Sequence, residues 1–120
     1  TAMFAPDVLL AAGDALRAHL ETRWPGAKWH REIPISALVS TEHRARRIEG
    51  TIDLLLETPV GYVIIDHKSF PGRQEHWPER ALAYAPQLLT YAKAVTMAGG
   101  TVLAMLIHFT VGGGAVEVGS

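Results

Sequence analysis

Apolar residues recur at helical spacing from Pro6 to about Arg23, where Val8, Leu9, Ala12, Leu16 and Leu20 share a face and Pro6 and Asp7 give a start signal. Trp24-Pro25-Gly26 interrupts that pattern. The periodicity then changes to alternation. Trp29 to Val39 reads as a first strand, with Glu32 opposite Ile33 and Ile35. Residues 46–57 and 60–69 read as two more strands, joined by the short turn Thr58-Pro59-Val60-Gly61 and stopped by Ser69-Phe70-Pro71-Gly72. A charged and aromatic loop, Arg73 to Arg80, leads into a second helical pattern. Pro86 interrupts this pattern, and an interior proline costs on the order of 3 kcal/mol. The main helix is therefore expected from Pro86 to Ala98, with Glu79 to Ala85 as a separate or kinked turn and Gly99-Gly100 as the stop. Thr101 to Thr110 reads as a buried fourth strand and Ala115 to Val118 as a short fifth.

This order implies one α/β domain with a mixed central sheet flanked by helices, antiparallel in the middle, with a crossover helix bringing the fourth strand alongside. No repeat or linker divides residues 1–120.

Two of the strands carry an acid inside an apolar run: Asp53 within Thr51-Ile52-Asp53-Leu54-Leu55-Leu56, and Asp66 within Tyr62-Val63-Ile64-Ile65-Asp66-His67-Lys68. A buried carboxylate is costly unless it is paired or binds a cation. Two such acids on adjacent strands, with Lys68 on the same strand face as Asp66, suggest a divalent-metal site. Magnesium or manganese suits oxygen donors, so Asp53, Asp66 and the backbone carbonyl of His67 are the candidate ligands, with Glu32 as a further candidate. Asp53, Asp66 and Lys68 are the candidate catalytic group. Lys68 would position or help deprotonate an attacking water, or stabilise developing charge. The competing structural reading is a buried Asp66–Lys68 ion pair with Asp53 capping a bulge.

Gln87 and Tyr91, four residues apart, share a helix face. If Pro86 opens that helix, Gln87 lies near an amino end suited to phosphate. Arg46 and Arg47, in the basic cluster before the Asp53 strand, are candidates for DNA contact or a solvated loop. His76-Trp77 offers aromatic surface that either stacks on bases or packs on the helix.

With 120 residues and 48% hydrophobic positions, the chain is long enough for a substantial core and is not of disordered composition. It has no cysteine, which excludes disulfides, thiolate zinc sites and cysteine-ligated iron–sulfur clusters and fits a cytoplasmic location. No apolar run is long enough for a membrane span. The formal net charge of −1 argues against binding DNA by overall charge, so phosphate would be gripped locally or delivered by a tethered partner.

Gly50-Thr51-Ile52-Asp53, Ile65-Asp66-His67-Lys68-Ser69 and Gln87-Leu88-Leu89-Thr90-Tyr91 resemble, in order, the G-x-x-D, D-x-K and Q-x-x-x-Y motifs of RecB-like nucleases of the PD-(D/E)XK superfamily. Glu32 matches a glutamate on the first core strand of that group. The resemblance implies a restriction-endonuclease-like core in which the two acids bind Mg2+ or Mn2+, the lysine assists phosphodiester hydrolysis, and Gln87 and Tyr91 support the site or DNA. It further implies a DNA exonuclease domain at the C-terminal end of a UvrD/AddA-type helicase acting in repair and recombination. DNA, helicase motor domains of the same parent chain and a second helicase–nuclease subunit are the partners expected on this resemblance, and a membrane is not. The alternative is a catalytically silent module that docks a DNA end or a protein. The resemblance departs at the upstream helix, where the family's metal-site histidine is expected: His19 lies on the right kind of element without the glycine–histidine context.

Overall fold

The computed structural model describes residues 7–10, 13–40, 42–69, 76–110 and 114–118. The elements run β1 (Asp7–Leu10), α1 (Gly13–Arg23), β2 (Lys28–Ser40), β3 (Ala45–Thr58), β4 (Gly61–Lys68), α2 (Trp77–Met97), β5 (Val102–Phe109) and β6 (Gly114–Val118). The strands form one sheet in the order β1-β6-β5-β4-β3-β2. All neighbours are antiparallel except β4 and β5, which run parallel because α2 carries the chain across between them.

Alternation along the central strands sends side chains to two cores, one on each sheet face. Ile64, Met105 and Ile107 pack with Leu88 and Tyr91 of α2. Val63, Ile65, Ala104 and Leu106 pack with Leu16 and Leu20 of α1. The result is a three-layer α/β/α arrangement, the mixed sheet flanked by helices that the residue pattern implied.

Three expectations need correction. The stretch from Pro6 to Arg23 is not one helix: Asp7–Leu10 is a strand pairing with β6, and the helix begins at Gly13. Val8, Leu9 and Leu10 fit either periodicity over so short a run, and a long-range partner decides it. Pro6 itself lies outside the described residues. The second helix does not break at Pro86 but runs unbroken from Trp77 to Met97. Pro86 and Leu82, whose carbonyl loses its helical donor, are both exposed, so that carbonyl lies on the side open to water. His76 is the residue before the first turn and Trp77 is helical, so this pair does not belong to the preceding loop. Phe70 to Gly72 lie outside the described residues.

Candidate active site

The site forms where the β2–β3 ribbon bends away from β4. β2 and β3 pair in constant register from Lys28↔Glu57 to Ser40↔Ala45, apart from a gap between Arg31↔Leu54 and Ile33↔Ile52. Glu32 and Asp53 occupy that gap. Glu32 adopts φ 52°, a left-handed conformation that costs an L-residue roughly 1–2 kcal/mol. Both strands exchange faces here: Trp29 and Leu54 belong to the α1-side core, whereas Ile33 and Ile52 belong to the α2-side core. Simple alternation along β2, which underlies the expectation for Glu32, therefore fails at Glu32 itself.

Pairing of β3 with β4 ends at Leu54↔Ile65, immediately before the two acids. The next β4 amide towards the site, that of His67, donates to Asp53 Oδ2 at 2.8 Å. Asp53 thus satisfies a backbone donor that the departing strand has released.

Asp66 is buried, 4% exposed, on the α2 side of β4. Lys68 Nζ stands 3.0 Å from Asp66 Oδ2, off the line of a hydrogen bond, so this oxygen has a charged neighbour but no directed donor. Burial pushes the Asp66 pKa up to about 6; a hydrogen bond between its protonated form and Asp53 adds to the rise, and Lys68 opposes it. The ion pair and the backbone cap are the arrangement expected of a purely structural pair. A second carboxylate packed against the first is not, since like charges raise the energy of both.

Lys68 Nζ also donates to Gln87 Oε1 at 3.0 Å, and Gln87 Nε2 donates to Tyr91 Oη at 3.1 Å. A lysine only donates, so Gln87 must turn its oxygen towards Lys68 and its amide nitrogen towards Tyr91. Gln87 does this from the middle of α2, ten residues past Trp77, and not from a helix amino end as the Pro86 reading required. Gly50 makes room for the chain of contacts: a Cβ there would lie 2.7 Å from Tyr91 Oη. The three separated sequence motifs thus meet through side-chain contacts.

Arg46 and Arg47 line one pocket with Glu49, Gln87, Thr90 and Tyr91, and Arg47 Nη1 donates to Ser36 Oγ at 2.8 Å. Glu32 lines a separate pocket with Arg31, Asp53 and His67. His19 lies on α1 with a buried Nε2 that has no hydrogen-bond partner among the described residues.

One feature escaped the sequence reading. His67 faces His108 across the parallel β4–β5 ladder, with their Nδ1 atoms 3.0 Å apart. Burial lowers both pKa values and so favours the neutral forms, one imidazole donating to the other. Only the register of two strands 41 positions apart creates this pair.

The donor set fits a hard divalent cation. Asp66 Oδ2 is a buried acceptor with no directed donor, and Asp53, Asp66 and the His67 carbonyl are all oxygen donors. Among the described residues no three His, Asp or Glu side chains gather around one point, so a metal here would rest on two carboxylates and a backbone oxygen.

These features define an α/β protein with two acids and a lysine at a strand divergence. The chain matches the family model of the PD-(D/E)XK nuclease superfamily over residues 4–115 and belongs to that superfamily. No curated protein matches the sequence. No helix among the described residues is long and apolar enough to cross a membrane.

Proposed function

We propose that this chain is a Mg2+- or Mn2+-dependent deoxyribonuclease domain that hydrolyses phosphodiester bonds. The observation that carries the reading is Lys68, held 3.0 Å from Asp66 and 3.0 Å from Gln87, beside the Asp53–Asp66 pair. Asp53, Asp66 and the His67 carbonyl would hold the cation, with Glu32 near enough to the Asp53 pocket to contribute through water. A bound divalent ion supplies positive charge at the phosphate and a more acidic water.

The chain's own side chains do the rest. Lys68, its direction set by Gln87 and Tyr91, places its ammonium hydrogens towards the attacking water and the phosphate oxygens. Water oxygen forms the new bond to phosphorus as the bond to the leaving sugar oxygen breaks, giving a phosphate monoester and a sugar hydroxyl. Gln87 and Tyr91 act as positioning residues, and Arg46 and Arg47, in the pocket they share, are suited to a flanking phosphate. The motif resemblance supports a finer assignment, an exonuclease domain of a UvrD/AddA-type helicase–nuclease in DNA repair. In that setting the motor domains and a partner subunit deliver DNA to a domain whose formal charge is only −1.

Cleavage of linear DNA with Mg2+, with Mn2+ and with EDTA tests the reading. The parent chain is expected to cut only with a metal, and Asp53→Ala to abolish cutting. Cleavage in EDTA, or unchanged cleavage by Asp53→Ala, would contradict it. A parent that binds metal but never cuts would favour a docking module.

A further inference from the structure

On the α1 side of the sheet, the Asp53 edge of the proposed site adjoins a groove that continues between α1 and β2. Arg31, Glu32, Asp53 and His67 line its inner end, a cavity of about 570 Å3. Arg31 and His67 also line the next cavity, of about 250 Å3, together with Arg17, Trp29 and His108. Arg17, Trp29 and Arg31 in turn line a third, of about 440 Å3, which reaches the Trp24-Pro25-Gly26 turn. The shared residues join the three into one path.

The middle of the path is cationic and aromatic. The Arg17 and Arg31 guanidiniums lie 5.1 and 5.7 Å from the centre of the Trp29 ring. Both are exposed, and among the described residues neither has a carboxylate partner. Arg23, by contrast, is neutralised by Glu117. The acids of the path stand at its ends, Glu21 at the outer and Glu32 and Asp53 at the inner. His108, at 9% exposure, lines the middle cavity and has a buried Nε2 without a hydrogen-bond partner among the described residues.

We infer that this groove binds a single strand of DNA running away from the scissile phosphate, with Arg17 and Arg31 on successive phosphates and Trp29 holding both guanidiniums in place. The inference rests on the nuclease reading for its direction, since the inner end is the Asp53 pocket. Cations interleaved with an aromatic are the features that grip single strands without sequence preference. Stacking on Trp29 fixes the arginines before the ligand arrives, so less side-chain freedom is lost on binding.

The test is fluorescence anisotropy of a labelled oligothymidylate and of a labelled blunt duplex, in EDTA, with the full chain and with Arg17→Gln, Arg31→Gln and Lys93→Ala. Lys93 lies exposed on α2, away from the groove. Each arginine variant should weaken single-strand binding about tenfold and lower the slope of log affinity against log salt by about 0.7, the value for one phosphate contact on a single strand. Trp29→Phe should give a smaller loss of the same kind, and duplex binding and Lys93→Ala should be unchanged. Unchanged single-strand affinity in both arginine variants would overturn the groove, as would equal losses for single strand and duplex. Binding in EDTA is independent of chemistry. Loss of binding in the variants of a parent that cuts no DNA would leave the groove standing and the nuclease reading refuted. Normal binding by the variants of a parent that does cut would mean the reverse.

Discussion

Gly50 and Tyr91 lie in such close contact that a Cβ on Gly50 would sit 2.7 Å from the phenol oxygen and 2.9 Å from the nearest ring carbon. Tyr91 is 5% exposed and packed into the α2-side core, so it has little room to retreat. Gly50→Ala should therefore shift the ring, loosen the Gln87–Tyr91 contact and destabilise the fold by about 1–3 kcal/mol, read by urea denaturation. Adding Tyr91→Phe removes the tightest contact and should restore part of that stability.

Lys68 and Gln87 should behave as one unit. Lys68→Ala is expected to lower DNA cleavage by roughly a hundredfold to ten-thousandfold while leaving Mn2+ affinity unreduced. Gln87→Ala should lower it by about tenfold. In the double variant the two losses should not add, because Gln87 acts through Lys68. Additive losses would show that Gln87 works independently.

The raised pKa of Asp66 gives a signed prediction for the metal-free protein. The carboxyl ionises at about 6 in the folded chain against 3.8 in its ordinary state, so between those values the folded protein holds the extra proton. The stability contributed by this group is therefore greatest below about pH 4 and is lost as pH rises through 6. Asp66→Asn should match the parent near pH 4 and become the more stable of the two towards pH 7.5, in EDTA, by denaturant titration. A gap independent of pH would refute the assignment.

Five of the six strands and the motif positions were readable because they depend on local pattern. The apolar runs in 46–57 and 60–69, the turn at Pro59-Val60 and the stop at Gly99-Gly100 all match the observed elements. What was not readable depends on distant partners. Glu32 interrupts an apparently regular strand opposite Asp53, a gap that shows only in the pairing of β2 with β3. The His67–His108 contact needs the β4–β5 register. The reason for Gly50 lies in Tyr91, 41 residues later on another element. Of the candidate site, the residues that the structure brings together were therefore legible, and the contacts that orient them were not.

Pro86 shows the same limit for helices. Local rules start the main helix there, yet packing of Leu88 and Tyr91 on one side and Ala81 on the other carries α2 through it. Pro86→Ala supplies the missing N–H towards Leu82 and should raise stability by up to about 3 kcal/mol, measured by thermal or urea unfolding. A loss of stability would mean that the proline's shape is required for the packing of α2.

On the proposed function, Asp53 and Asp66 form a divalent-cation site that serves DNA cleavage. Calorimetric titration of Mn2+ into the parent chain and into Asp66→Ala, followed by a cleavage assay on the same samples, tests it most directly. Binding by the parent that disappears in the variant, with cleavage lost alongside it, is the predicted result. Equal Mn2+ binding by both proteins, or none by either, would contradict it.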